Sequence, residues 1–309
     1  MRECANQLSV VGILKSKTVK RAVRDGVNTI SLELVVQSQL SEDKINEVKV
    51  GFYAKEGSKL YNSYNTIANE YKTIAEHGTG DKIKITGSIT MNEFMSQTGE
   101  FVSRNKLRGL FCNRLDANDA TPHCCGAAIE CIVTGTSLEL KNGVPSGRKL
   151  VQAYSVGYKD TIIELKDLVL AEHLTSKFEE LYTINSTGKL FIEIHNYAVK
   201  ETAPAQSSNV GFGSQLSVMP DTISSYVNEY MIIGGDMPLT IENSPSLPTP
   251  GKFTLEEIAE IKRLRNQAVQ QAMTTPAAPP VNTQPTGFGG GFETSANVGG
   301  FSPVGDMPF

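Results

Sequence analysis

The strongest constraint on the fold is an alternation of apolar and polar residues that recurs in the first 115 residues and is interrupted once. It is clearest in "NTISLELVVQS", where Ile30, Leu32, Leu34 and Val36 share one side and Ser31, Glu33 and Gln37 the other. A strand patterned this way must lay one face on a core. "NQLSVVGILKS", "DKIKITGSIT" and "GEFVSRNKLRGLFCNRL" read as strands too, and "NEVKVGFYA" turns Val48, Val50 and Phe52 inward and Lys49 and Tyr53 outward. Before "DKIKITGSIT", Leu60, Tyr64, Ile67, Tyr71 and Ile74 fall three or four apart, an amphipathic helix stopped by Gly78 and Gly80. The order β-β-β-α-β-β in so short a chain predicts a sheet closed on itself, with no exposed edges: the five-stranded OB barrel.

The order recurs downstream. "GAAIECIVTGTSLEL" turns at Asn142-Gly143 into "GRKLVQAYSVGY"; then come "TIIELKDLVLA", a short helix "AEHLTSKFEELY", "GKLFIEIHNYAVK", a polar loop "AQSSNVGFGSQLSVMP" and "TISSYVNEYMIIGG". The prediction is a mainly β chain with two OB barrels in tandem. Residues 1–118 make the first barrel, 119–238 a second OB-like one, 239–273 a linker and amphipathic helix, and 274–309 a disordered tail. The helix opens on a capping box, Thr254 and Glu257, and carries an apolar stripe of Leu255, Ile258, Ile261, Leu264 and Ala268. The tail is dominated by Pro, Gly, Asn, Thr and Ala and holds only Glu293 and Asp306 as charges, too little apolar surface to fold by itself.

Charge divides the chain. Residues 1–115 hold 17 Lys and Arg against 12 Asp and Glu, whereas the remainder holds 12 against 21. A basic first barrel on an acidic remainder points to a polyanionic partner for that barrel. No apolar run is long enough for a membrane span, the start "MRECANQL" does not read as a signal peptide, and the five scattered cysteines suit a reducing cytoplasm. His123, Cys124, Cys125 and Cys131 lack paired zinc spacing, and no phosphate-binding loop, H-E-x-x-H or nucleophile elbow occurs. The expectation is a binding protein without catalytic residues, metal or cofactor.

An unpaired nucleic-acid strand is held by cations along its phosphates and by flat side chains under its bases. The connection between the first two strands carries Lys15, Lys17, Lys20, Arg21 and Arg24. Lys82 and Lys84 lie on the fourth strand, and Arg104, Lys106 and Arg108 leave one face of the fifth, provided Leu107 and Phe111 point inward. Phe94 and Phe101 in the hairpin and Tyr53 on the third strand are candidate platforms, and Arg148, Lys149 and Tyr154 are candidates in the second barrel.

The strand order, "GDKIKITGSITMNEF…TGEFVSRNKLRGL" and the ending "VGDMPF" together resemble the bacterial and bacteriophage single-stranded DNA-binding proteins. The resemblance implies a non-enzymatic OB-fold protein that coats single-stranded DNA in replication, recombination and repair, without sequence preference. It also implies that Asp306, Met307, Pro308 and Phe309 form a hook for replication and repair proteins, and that chains pair as homodimers to keep four barrels. The family tip usually carries several acids; here Asp306 stands alone, and "GGDMPL" at Gly234–Leu239 echoes it. The divergence favours a phage origin. An RNA-binding OB protein and an OB-fold structural or adaptor protein of a phage particle are the alternatives.

Overall fold

A computed structural model describes residues 1–41, 44–96, 98–116, 118–141, 143–202 and 222–274, leaving aside the side chains of 200–202 and 222–224. The polar loop of residues 205–220, the tail from residue 275 and the tip Asp306–Phe309 lie outside them.

The first five strands are β1 (Asn6–Arg24), β2 (Val27–Ser41), β3 (Lys44–Lys55), β4 (Lys82–Met95) and β5 (Phe101–Arg114), with α1 (Lys59–Glu70) and α2 (Ile74–His77) between β3 and β4. β1 pairs antiparallel with both β2 and β4, β2 with β3, and β4 with β5. A short parallel pairing of β3 with β5, Val50 beside Leu107 and Gly51 beside Arg108, closes the ring. This is the OB topology. Ile30, Leu32, Leu34, Val36, Val48, Val50, Phe52, Ile83, Ile85 and Ile89 are buried inside it, as the alternation requires.

The single helix expected before β4 divides in two. Tyr71 leaves the helix for an extended conformation, and its hydroxyl donates to the Cys112 carbonyl at 3.2 Å. Thr73 then caps α2, its hydroxyl accepting from the Glu76 amide at 3.1 Å, and Gly78, at φ 74°, ends it. A buried tyrosine with a polar partner thus outweighs helix continuity.

The second ring repeats the first with β6 (Cys124–Lys141), β7 (Val144–Val156), β8 (Ile162–Leu170), α3 (Glu172–Leu181), β9 (Thr187–Thr202) and β10 (Thr222–Gly235). It closes through the same kind of parallel contact, Met231 beside Val169 and Ile232 beside Leu170. The fold is mainly β, with two OB barrels in tandem.

The barrels share a sheet. β1 runs antiparallel to β6 from Asn6 opposite Ile129 to Val11 opposite Cys124, and one hydrophobic cluster continues through both barrels. Asn46 and Asn196 lock the other side: Asn46 Nδ2 donates to the Ile194 carbonyl at 2.6 Å and Asn196 Nδ2 to the Glu47 carbonyl at 2.5 Å.

The last helix, α4 (Leu255–Thr274), starts at the expected capping box: the Glu257 amide donates to Thr254 Oγ1 at 3.1 Å, and Glu257 accepts from the Thr254 amide at 2.8 Å. Ile258 and Ile261 pack with Phe253, Cys4, Ile132, Val156 and Ile162. Leu255 and Ala268, expected on the apolar stripe, are exposed, and the third buried position is Arg265.

Candidate nucleic-acid interface

The cation-rich connection between the first two strands is itself strand. β1 and β2 continue as a ribbon to Arg24 opposite Val27, and only Asp25-Gly26, both at positive φ, makes the turn. Asp-Gly is the residue pair such a two-residue turn favours.

A bulge in this ribbon sorts its cations. Leu14 pairs with Val36 and Ser16 with Val35, so Lys15 is the extra residue and the inward parity reverses there. Before it Leu8, Val10 and Leu14 are buried; after it Val19 packs on the core. Lys17 and Arg21 share the side of Val19. Lys17 Nζ donates to the Tyr71 carbonyl at 2.7 Å, and Arg21 Nη2 to Asn65 Oδ1 at 3.0 Å. Lys15 pairs with Glu47 at 2.6 Å. Thr18 and Lys20 face the other way.

That outward face is continuous across the barrel. Thr18 stands opposite Glu33 and Lys20 opposite Ser31; Ser31 faces Tyr53, and Glu33 faces Gly51. Gly51 adjoins Arg108, Thr90 is paired with Lys106 and Asn92 with Arg104. All of these but Arg104 line a depression of about 470 Å³ that includes Lys20, Tyr53, Lys106 and Arg108. Gly51 lets the floor lie flat: a Cβ there would come within 2.9 Å of Lys106 Cε, which crosses above it.

The depression does not end at the first barrel. A second hollow of about 430 Å³ shares Glu33, Gly51, Asn92 and Lys106 with it and adds Lys49, Arg104, Asn196, Asn228 and Tyr230. A third, of about 550 Å³, shares Arg104, Asn105, Asn228 and Tyr230 and reaches Leu140, Leu150, Glu164, Lys166 and Asp167 of the second barrel. The result is one trough across both barrels.

Its charge is unevenly met. Lys20, Lys49, Arg104, Lys106 and Arg108 form no ion pair among the described residues. Over the second barrel the two expected cations are occupied. Arg148 is held by Glu139 at 2.7 Å and Glu229 at 3.0 Å, and Lys149 by Glu179. The hydrogen bonds that Arg148 donates to Glu139 outweigh its partial burial and raise its pKa above the usual guanidinium value. Tyr154 packs against the cluster under α4, where burial raises its hydroxyl pKa.

The remaining expected residues are dispersed. Lys82 Nζ donates to the carbonyls of Asp119 and Thr121 at 2.8 and 2.7 Å, while Lys84 and Arg24 are exposed away from the residues that line the depression. Phe94, 45% exposed, shares its side of β4 with Thr90 and Asn92. Phe101 falls on the other side of β5, with Ser103. Phe111, expected inward, is exposed because the ladder shifts between Thr86 and Gly87. The sequence reading missed Lys49, Asn92, Asn196, Asn228 and Tyr230 as trough residues. Lys49 was legible from its parity; the amides carry no charge signal, and Asn196, Asn228 and Tyr230 reach the trough only because the barrels dock.

The cysteine-rich stretch gives no converging set. Burial pushes the Cys4 thiol up to about 11 and that of Cys112 up to about 12, and raises Cys125 and Cys131 as well. His123 Nδ1 accepts from the Gln39 amide at 3.0 Å. No three His, Cys, Asp or Glu side chains gather among the described residues, and no described helix is long and apolar enough to cross a membrane.

The model of the YorF family matches residues 5–275. The chain belongs to the YorF family. No curated protein matches this YorF-family chain in sequence. Among solved structures, it is similar to a deletion mutant of the single-stranded DNA binding protein from Thermus aquaticus, at 13% identity and a TM-score of 0.48, over 80% of this chain and 100% of that one. It is also similar to Rim1, a mitochondrial single-stranded DNA binding protein of S. cerevisiae, at 14% identity and a TM-score of 0.27, over 38% of this chain and 98% of that one. A small single-stranded DNA-binding protein from Streptomyces coelicolor matches at 11% identity and a TM-score of 0.26, over 38% of this chain and 100% of that one. At such identities these likenesses concern the fold alone.

Proposed function

We propose that this chain is a non-enzymatic protein that binds single-stranded DNA with little sequence preference, the strand lying in the trough of the first barrel. The observation that carries this is the convergence of Lys20, Lys49, Arg104, Lys106 and Arg108, none in an ion pair among the described residues, with Tyr53 on one curved face. Cations spaced along a strand neutralise phosphates irrespective of base, and an exposed ring stacks under any of them. Glu33 among them repels phosphate, so in this reading the backbone of the strand follows the cations on either side of it.

The test changes Arg104, Lys106 and Arg108 together to Ala and titrates oligo-dT at two salt concentrations. Each lost phosphate contact lowers the salt slope by roughly 0.7, so the slope falls by about 2 and affinity drops steeply. Unchanged affinity and slope overturn the assignment. Competition between poly-dT and poly-U decides against the RNA-binding alternative.

In this reading the protein coats and shields DNA during replication, recombination or repair in the cytoplasm of a host cell, and chains pair as homodimers. The tip Asp306, Met307, Pro308 and Phe309 recruits replication and repair proteins through its aromatic ring, acid and terminal carboxylate. Deleting the last six residues is expected to spare oligo-dT binding and abolish that recruitment. A mass measurement reads the pairing.

A further inference from the structure

The hairpin of β4 and β5 has two working sides. Asn92, Arg104 and Lys106 line the hollows over the first barrel, with Phe94 on their side of β4; by alternation Glu93, Ser103 and Asn105 face the opposite way, toward the second barrel, where Ser103, Asn105 and Glu164 border the third hollow. On that opposite side stands Arg265 of α4, with its side chain only 3% exposed. Arg265 Nη1 donates to Glu93 Oε2 at 2.8 Å, Nη2 to Glu93 Oε1 and Ser103 Oγ, and Nε to Glu164 Oε2 at 2.9 Å. Ser103 Oγ donates to Glu93 at 2.7 Å, and Asn105 Nδ2 to the Glu164 carbonyl at 2.9 Å. One guanidinium therefore joins the hairpin of the first barrel, β8 of the second and the C-terminal helix.

We propose that Arg265 is a positioning residue: through Glu93 and Glu164 it holds the β4–β5 hairpin against the second barrel, and so sets where Arg104 and Lys106 stand in the trough and where Phe94 stands beside it. The inference rests on the DNA-binding reading above. Without the guanidinium, Glu93 and Glu164 face each other from two separate barrels with only the half-exposed Lys166, 3.4 Å from Glu164, left among the described cations to offset them. Their repulsion, and the cost of a buried unpaired carboxylate, drive the hairpin outward. A pleated ribbon cannot shift one side alone, so the trough residues move with Glu93 and Ser103. Arg265 itself lines none of the three hollows.

The test compares the full-length wild type with Arg265→Met and Arg265→Lys, by hydrogen exchange and by oligo-dT titration and dissociation at two salt concentrations. Expected for Arg265→Met are faster exchange confined to residues 91–105, dissociation roughly tenfold faster, and an unchanged salt slope. Arg265→Lys, which keeps the charge without the fork, recovers part of the loss. Accelerated exchange with unchanged dissociation overturns the positioning role, as does unchanged exchange. A salt slope lowered by roughly 0.7 also overturns it, because Arg265 would then bind phosphate directly. Should Arg265→Met fail to fold, Glu164→Gln loosens the same clamp and is expected to give a smaller change in the same direction; no change overturns the proposal. Failure of the wild type to bind oligo-dT sinks the DNA-binding reading, while the exchange pattern still decides the clamp.

Discussion

The two barrels share a topology and differ in what they do with their outward charges. On the first, Lys20, Arg104, Lys106 and Arg108 meet no carboxylate among the described residues, and the accompanying Glu33 is the acid of that depression. On the second, Arg148 is enclosed by Glu139 and Glu229, Lys149 meets Glu179 and Lys166 meets Glu164. The OB ring therefore dictates where a trough can form and not what it holds. Whether a cation is available is decided by the carboxylates that neighbouring strands and helices bring beside it.

The comparison can be broken most directly by treating the barrels alike. Changing Arg104, Lys106 and Arg108 to Ala is expected to weaken oligo-dT binding by roughly 100-fold at low salt, whereas changing Arg148 and Lys149 leaves it within about twofold. Equal losses would mean that both barrels carry the strand. Arg148→Ala separates structure from binding: removing the cation strands Glu139 and Glu229, and stability falls by roughly 2 kcal/mol in urea unfolding with the salt slope intact. Tyr53→Ala sharpens the first barrel's side, costing roughly 1–2 kcal/mol of oligo-dT affinity with no change in slope, as lost stacking requires. A drop in slope would show that the ring only supports a neighbouring cation.

The smallest effect expected is on acid stability. The Arg148 hydrogen bond outweighs burial and holds Glu139 below the usual carboxylate range. Burial opposes ionisation of Glu93, but hydrogen bonds from Arg265 and Ser103, with Lys166 nearby, more than compensate. A carboxylate whose folded pKa is depressed stabilises the fold above its unfolded pKa, and that contribution is lost as pH falls through the folded value. Stability in urea is thus expected to hold from neutral pH to about 5 and decline below about 4. In Arg148→Ala and Arg265→Met that decline should be shallower, since the depressed pKa values return toward normal. A decline just as steep would mean that other carboxylates govern it.

Much of the fold was legible. Alternation located the strands, one break in period located each helix, and Thr254 with Glu257 marked the start of α4. Burial is a two-way choice along a strand, and apolar residues make that choice visible. The site was legible only in part. Arg104, Lys106 and Arg108 sit on a strand whose parity is readable from Leu107, so their common face could be foreseen. Lys15, Lys17, Lys20, Arg21 and Arg24 could not be sorted, because a single bulged residue reverses every side chain after it.

The amino-acid order alone determined two rounds of β-β-β-α-β-β, a basic first round and an acidic second, because solvent exposure imposes short periods and composition is additive. Only the tertiary structure decided which charges remain available, since ion pairs such as Arg148 with Glu229 and Arg265 with Glu93 join residues 81 and 172 positions apart. No local pattern encodes such partners. They meet because both barrels close and dock, and the energy of a charge depends on what then lies within a few ångströms of it.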